Sequence, residues 1–401
     1  MRILVLSVTS PVPANNGVKM RTWSIMRALA AEGHELVLVA FADPRDSNET
    51  GAELSDVCRR VILVPHQFKS LSSSKDYIGR AAQLFSNAPY GVAGARSTEM
   101  ASQIAGLLGQ QAVDAILCEQ TDLLTNLPKQ LPVPLLVDFH NVDYLIMERF
   151  VGLERNPAKR LYARMESRKI REWERKACEL AATAWACSEF DRDLLQKLRP
   201  SLPMFVVPNV VDVDEYIPDG MEDPRKILFQ GGMDWYPNRD AVEFFITQIL
   251  PRIQRTVADV RFVVAGRNPP PEFRQRLSCF PGVEFTGTIP DMRVEITNAA
   301  VCVVPLRLGS GTRLKILESS AMAKPIVSTR LGAEGLNFQN GKEIVLEDEP
   351  IAFADAVLKL LNEPRNRKQM GQAARQRAER NYSFPALRES LRPALAFVPL
   401  K

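Results

Sequence analysis

A chain of 401 residues is too long for one ordinary core and too short for three or four, so two domains of about 200 residues each are expected. Its 46% hydrophobic and 24% charged residues exclude a disordered, fibrous or coiled-coil chain, and 51 basic against 47 acidic residues leave only +4, which points to no nucleic acid. Six cysteines without a CxxC pair exclude a disulfide framework or thiolate metal centre and fit buried thiols in a reducing cytosol.

The chain opens on an apolar run at residues 3–8, which lacks the cleavage site of a signal peptide and reads as a buried first strand. A Pro/Asn/Gly turn follows at 11–17, then a helical pattern and Gly33-His34-Glu35 before a strand at 36–41. Further strands are expected at 61–64, 115–118, 135–138 and 183–187, most of them separated by helical patterns. Asp138-Phe139-His140-Asn141 puts a histidine just past one of these strands, at a crevice edge; taken alone, an isolated histidine is more often a ring satisfied by backbone. Residues 155–176 hold nine Lys or Arg against three acids. They read as a solvated helix face in which Glu166, Glu172 and Glu174 interleave the charge, or as a docking face for anionic lipid. Asp191-Arg-Asp193 and Asp212-Val-Asp214 spell DxD, a metal-diphosphate signature of a different fold. One starts a helix, the other lies among prolines, and capping explains such acids.

Pro200, Pro203, Pro208, Pro218 and Pro224 mark a linker at 201–224 between a domain at 1–200 and a second at 225–380, with 381–401 expected to pack back on the first. Residues 225–230, RKILFQ, repeat the character of 2–7, RILVLS, so the halves look tandem. Strands follow at 261–265, 283–286, 301–306, 326–329 and 343–346, then amphipathic helices from 351 to about 396. The fold class is α/β, two Rossmann-like parallel-sheet domains facing across a cleft at the carboxyl ends of their strands. Within 303–324 a buried strand, a turn with Gly309 and Gly311, and a helix follow one another. The free N–H groups at that helix start suit a diphosphate, and Arg313 and Lys315 place cations where the helix dipole disfavours them unless an anion binds. The bland alternative is that the glycines only cap a turn and Lys315 pairs with Glu318.

The stretch GSGTRLKILE resembles the nucleotide-sugar site of retaining glycosyltransferase family 4, of GT-B fold, and is similar to sugar transferases of bacterial surface polysaccharide synthesis. The resemblance implies that Lys315 binds the donor diphosphate and that Glu318 is the Glu that follows on the helix; where the family commonly has another Glu eight residues earlier, this chain has Ser310. It further implies donor contacts from Gly17, Gly231, Gly232, Arg239, Gly266, Ser310, Gly311, Thr312 and Arg313, and a catalytic set of His140, Lys315 and Glu318. The segment 209–212 resembles the family's hinge. The implied reaction is transfer of a hexose-type sugar from a nucleoside diphosphate sugar to a glycan or lipid-linked glycan, with retention. No metal or other cofactor is expected, and the expected location is cytoplasmic with peripheral contact at the inner membrane face. A sugar-nucleotide epimerase of the same architecture and a catalytically inactive nucleotide-sugar binding protein remain as alternatives, Ser310 being the hint of the latter. A dehydrogenase is disfavoured because the turn after residues 3–8 lacks GxGxxG.

Overall fold

Strands rich in Val, Ile and Leu on both faces need cover on both sides, and a parallel sheet with crossover helices supplies it. The computed structural model of the chain describes residues 1–42, 50–66 and 86–399. Seven strands form the first sheet: β1 (Arg2–Ser7), β2 (Glu35–Ala42), β3 (Arg60–Pro65), β4 (Ala115–Glu119), β5 (Leu135–Phe139), β6 (Thr183–Ala186) and β7 (Met204–Val206). Six form the second: β8 (Asp223–Gln230), β9 (Arg261–Ala265), β10 (Val283–Gly287), β11 (Ala299–Val304), β12 (Ile326–Ser328) and β13 (Val345–Leu346). Every ladder is parallel.

The orders are β3-β2-β1-β4-β5-β6-β7 and β10-β9-β8-β11-β12-β13. In each sheet the order reverses beside the first strand, between β1 and β4 and between β8 and β11, and ligands of such sheets bind outside the strand carboxyl ends at that reversal.

The chain divides into two compact units, Met1–Pro208 with Leu387–Lys401, and Asn209–Ala386. Leu4, Leu6, Val39, Phe41, Ile116, Val137 and Phe139 anchor the core of the first. The second is built on Ile227, Phe229, Phe245, Phe262 and Phe353, with the Phe245 and Phe262 rings stacked at 4.3 Å. The stretch expected as a linker differs from expectation at 204–206, which form β7. Between Pro203 and Pro208, β7 closes the sheet as an edge, the place where flanking prolines cost no ladder bonds. The last helix, Phe384–Ala396, reaches the first unit through Arg388, whose Nε donates to Glu32 at 2.7 Å, and Phe397 lies 5.7 Å from Phe205. Among the described residues no helix is long and apolar enough to cross a membrane. Five of the six cysteines are buried and none is paired; Cys279 is exposed.

Candidate functional site

In the second unit the site grows from three loops at the carboxyl ends of β8, β9 and β11. Gly231 and Gly232 turn the chain away from β8, and Gly266 does so after β9. Gly231 N–H donates to the Ala265 carbonyl at 2.9 Å, and a Cβ on Gly266 would lie 1.9 Å from the Gly231 oxygen. The two turns touch only because Gly266 carries no side chain. A Cβ on Gly231 would in turn come within 2.8 Å of Asn238 Nδ2 and 3.0 Å of Lys315 Nζ, so the glycine leaves room for both. Asn238, near the start of helix Tyr236–Phe244, donates from Nδ2 to the Gly232 carbonyl at 2.8 Å and accepts Lys315 Nζ on Oδ1 at 2.8 Å. Arg239 donates to the Met233 carbonyl at 3.0 Å and lies over the Tyr236 ring.

After β11 the turn at 305–313 leads into helix Leu314–Ala321, with Gly309 at φ 134° and Gly311 at φ 71°. The Arg313 guanidinium is buried beneath this turn and donates to the carbonyls of both Ser310 and Gly311. A Cβ on Gly309 would meet Arg313 Nη2 at 2.7 Å, which accounts for the glycine. In a trans peptide the N–H points opposite its carbonyl, so pinning those two oxygens turns the N–H groups of Gly311 and Thr312 the other way. Neither donates to an acceptor among the described residues. Two such outward N–H groups ahead of a helix start form an anion-binding concavity.

Lys315 is half-buried, with Nζ 4.1 Å from the centre of the Phe229 ring, and no carboxylate pairs with it among the described residues. The pairing of Lys315 with Glu318 is not realised. The Glu318 carboxylate instead accepts Tyr216 Oη at 3.1 Å and Gln230 Nε2 at 2.7 Å. Burial, and then the nearby Arg313 charge, lower the Lys315 ammonium to about 7 against the pull of Glu318. Burial raises the Glu318 carboxyl, while Tyr216, Lys315 and Gln230 draw it back.

In the first unit helix Gly17–Ala31 starts at Gly17, where the Asn16 side chain caps Lys19 N–H at 3.0 Å. Its first turns carry Arg21 and Thr22 onto the ends of β5 and β4. Arg21 donates to both Asp138 oxygens at 2.7 and 2.5 Å and to the Val207 carbonyl at 2.9 Å. Thr22 Oγ1 donates to Glu119 at 3.1 Å. His140 is buried rather than at an open edge, with Nε2 2.8 Å from Glu119 and 3.2 Å from Asp138. Glu119, Asp138 and His140 present ligand atoms within 4.8 Å of one another, close enough for a cation. The Arg21 fork, however, already takes both Asp138 oxygens and supplies the compensating charge. Burial works against the His140 proton, but the bonds to Asp138 and Glu119 raise the imidazole to about 9. Against burial, Arg21 and His140 hold Asp138 well below the usual carboxylate range, while burial and Asp138 push Glu119 up. His140 is therefore cationic at neutral pH inside a network whose charges nearly cancel.

The second unit thus gathers Gly231, Gly232, Arg239, Gly266, Ser310, Gly311, Thr312, Arg313, Lys315 and Glu318 at the ends of β8, β9 and β11, and the first holds Gly17 and His140 at the ends of β1 and β5. Sequence reasoning missed Arg21, Glu119, Asp138, Tyr216, Gln230 and Asn238. A polar residue closing an apolar strand, as in AILCE, LLVDF and RKILFQ, was the available signal for three of them. The DxD acids serve local roles: Asp191 N–H donates to Ser188 Oγ at a helix cap, and Asp212 accepts Asp214 N–H in a turn. On helix Pro157–Leu180 the expected interleaving of acids holds for Glu172 and is corrected for Glu166 and Glu174, although Glu166 also keeps Lys169 at 3.9 Å. Glu166 and Glu174 turn inward to accept the N–H groups of Tyr90 and Asp143, and Glu172 pairs with Arg175. Arg160, Arg164, Arg168 and Arg171 stay exposed beside Leu161.

The comparisons with known proteins agree with this layout. Residues 15–215 match the model "Glycosyltransferase Family 4" and residues 224–363 the model "Glycosyl transferases group 1". The D-inositol 3-phosphate glycosyltransferase of Corynebacterium diphtheriae is 33% identical over 104 residues, 25% of this chain and 24% of that protein. The chain spans only about a quarter to a third of the length of the curated relatives it matches, at 24% to 36%. Among solved structures, sucrose-phosphate synthase from Thermosynechococcus elongatus superposes with a TM-score of 0.72 at 16% identity, covering 99% of this chain and 98% of that one. TarM of S. aureus, solved with UDP and alpha-GlcNAc-glycerol, gives 0.70 at 11% identity, covering 99% of both. These likenesses show a GT-B fold of two Rossmann-like domains.

Proposed function

The chain belongs to glycosyltransferase family 4, and we propose that it moves a hexose-type sugar from a nucleoside diphosphate sugar to a glycan or lipid-linked glycan of a bacterial surface polysaccharide, with retention at the anomeric carbon. The observation that carries the reading is Lys315: a cation with no carboxylate partner among the described residues, in the first turn of the helix that follows the outward N–H groups of Gly311 and Thr312. A sunken, unmatched ammonium is costly until an anion arrives, and a diphosphate supplies that anion in a shape two peptide N–H groups can also meet.

In this reading the bond from the anomeric carbon to the diphosphate breaks as the acceptor oxygen bonds to the same carbon from the same face. The acceptor's proton passes to the departing phosphate oxygen. Lys315, the two N–H groups and Arg239 stabilise the leaving charge, the part a divalent cation would otherwise take, so no metal is assigned. Glu318 holds donor hydroxyls. His140 meets the transferred sugar, and the two carboxylates that orient its ring also offset its charge beside a carbon that becomes cationic. Ser310 offers the donor sugar a hydroxyl where relatives place a Glu.

The exposed arginines of helix Pro157–Leu180 support peripheral docking on an anionic membrane face, in keeping with a cytoplasmic enzyme and a lipid-linked acceptor. Neutralising Arg164, Arg168 and Arg171 is then expected to abolish binding to anionic liposomes, and no binding by the unaltered protein at low salt would end that part.

The test of the activity is product analysis with UDP-, GDP-, ADP- and TDP-sugars, with and without a lipid-linked glycan acceptor. Sugar on the acceptor, lost in Lys315→Ala, is the expected result. Epimerised sugar without acceptor would make the chain an epimerase, and donor bound but never consumed would make it a binding protein.

A further inference from the structure

Lys315 is met by two uncharged groups. Its Nζ donates to Asn238 Oδ1 at 2.8 Å and lies 4.1 Å from the centre of the Phe229 ring. Asn238 is buried near the start of helix Tyr236–Phe244, and the other end of its amide is taken, since Nδ2 donates to the Gly232 carbonyl at 2.8 Å. Turning the amide over would set its oxygen against the Gly232 oxygen and its NH2 against the ammonium, so Oδ1 is locked toward Lys315. Gly231 keeps the space open: a Cβ there would lie 2.8 Å from Nδ2 and 3.0 Å from Nζ.

The carboxylates of the surrounding segments are engaged elsewhere. Asp234 pairs with Arg267 at 3.3 Å, Asp240 with Arg307 at 2.6 Å, and Glu318 accepts Tyr216 and Gln230. Of the cations, Arg313 turns to the Ser310 and Gly311 carbonyls and Arg239 to that of Met233. An amide oxygen and a ring face both attract an ammonium, yet neither cancels its charge. We propose that Asn238 is a positioning residue, a neutral acceptor that aims Lys315 while leaving its charge whole for the diphosphate, an inference that rests on Lys315 binding the donor. A carboxylate in its place would hold the ammonium as firmly and neutralise it before the donor arrived. It would also keep Lys315 protonated above pH 7, where burial and Arg313 otherwise release the proton against the pull of Glu318.

The test is titration calorimetry with uridine, guanosine, adenosine and thymidine diphosphates at pH 8, in two buffers of different ionisation enthalpy. The proteins are the unaltered chain, Asn238→Asp, Asn238→Leu, Lys315→Ala, and Asn238→Leu combined with Lys315→Ala, with thermal melting as the check on folding. The unaltered protein should take up about 0.9 proton per bound nucleotide. Asn238→Asp should bind at least as weakly as Lys315→Ala and take up almost no proton, since its Lys315 is already charged. Asn238→Leu should bind about tenfold more weakly, the worth of the lost acceptor, and still take up a proton. On the Lys315→Ala background Asn238→Leu should change little, because the cycle isolates what Asn238 does through the lysine. Asn238→Leu and that cycle decide the matter if Asn238→Asp does not fold. Unchanged proton uptake in Asn238→Asp, or full affinity in Asn238→Leu, would overturn the role of Asn238 and leave the donor site standing. Failure of the unaltered protein to bind any of the four diphosphates would overturn the donor site and this role with it.

Discussion

Lys315 makes donor affinity depend on pH in a direction the structure dictates. In the unliganded protein its ammonium titrates at about 7, lowered by burial and by Arg313, whereas a bound diphosphate at contact distance keeps it charged. Two unit charges 4 Å apart at an effective dielectric of 20 attract by about 4 kcal/mol, ample to hold the proton in the complex. The complex therefore carries more protons than the free protein above pH 7, binding takes up a proton, and affinity falls as pH rises. Half of the free protein has the charged lysine at pH 7 and about 1% at pH 9, so the dissociation constant should rise about 50-fold between them. Titration calorimetry at pH 8 in two buffers of different ionisation enthalpy should show about 0.9 proton taken up per nucleotide. Lys315→Ala should bind roughly 10- to 150-fold more weakly at pH 7, the worth of one charge-assisted bond, and lose the slope between pH 7 and 9. A flat profile in the unaltered protein, or the same slope in Lys315→Ala, would refute the reasoning.

Arg313→Lys keeps the charge but not the planar guanidinium whose Nη1 holds two carbonyls, so nucleoside diphosphate binding should drop about tenfold while nucleoside binding is unchanged; calorimetry with both ligands decides it, and equal affinity would mean Arg313 acts by charge alone. His140 titrates at about 9 when folded, above its ordinary value near 6.5, so its stabilisation is complete below about pH 6.5 and lost as pH rises through about 9. The stability gap between the unaltered protein and His140→Gln, from urea melts, should shrink by roughly 2 to 3 kcal/mol over that window, and a constant gap would contradict the ion-pair network. Gly266→Ala would drive a Cβ to 1.9 Å from the Gly231 oxygen and should destabilise the second unit by roughly 3 kcal/mol or more in urea denaturation; a loss below about 1 kcal/mol would show that the two turns separate easily.

The parallel sheets were legible because their strands are apolar on both faces, and expected and observed positions differ by a residue or two from β1 to β6 and from β8 to β13. β7 was not, because three residues between prolines carry no period and pair only through their place at the sheet edge. The phosphate turn announced itself through local chemistry, two glycines and two cations at one helix start. What stayed hidden depended on contacts between distant segments. Arg313 sits in that motif, yet its use of the Ser310 and Gly311 carbonyls follows from the fold of the turn, not from its charge. The Arg21–Asp138 fork joins residues 117 positions apart, and Tyr216 reaches Glu318 across 102, separations no local pattern encodes. Two of the three acids of helix Pro157–Leu180, Glu166 and Glu174, were misplaced because charge counting ignores which face turns inward.

The deciding measurement is thermal stabilisation of the purified protein by UDP-, GDP-, ADP- and TDP-sugars, with Lys315→Ala alongside. At about 100 times its dissociation constant a donor should add roughly 2.7 kcal/mol. One nucleotide class should raise the melting temperature of the unaltered protein and add only roughly 0.3 to 1.4 kcal/mol to Lys315→Ala, as its 10- to 150-fold weaker binding requires. Stabilisation by none of them, or by the same amount in both proteins, would mean that the turn ahead of helix Leu314–Ala321 is not where a sugar donor binds.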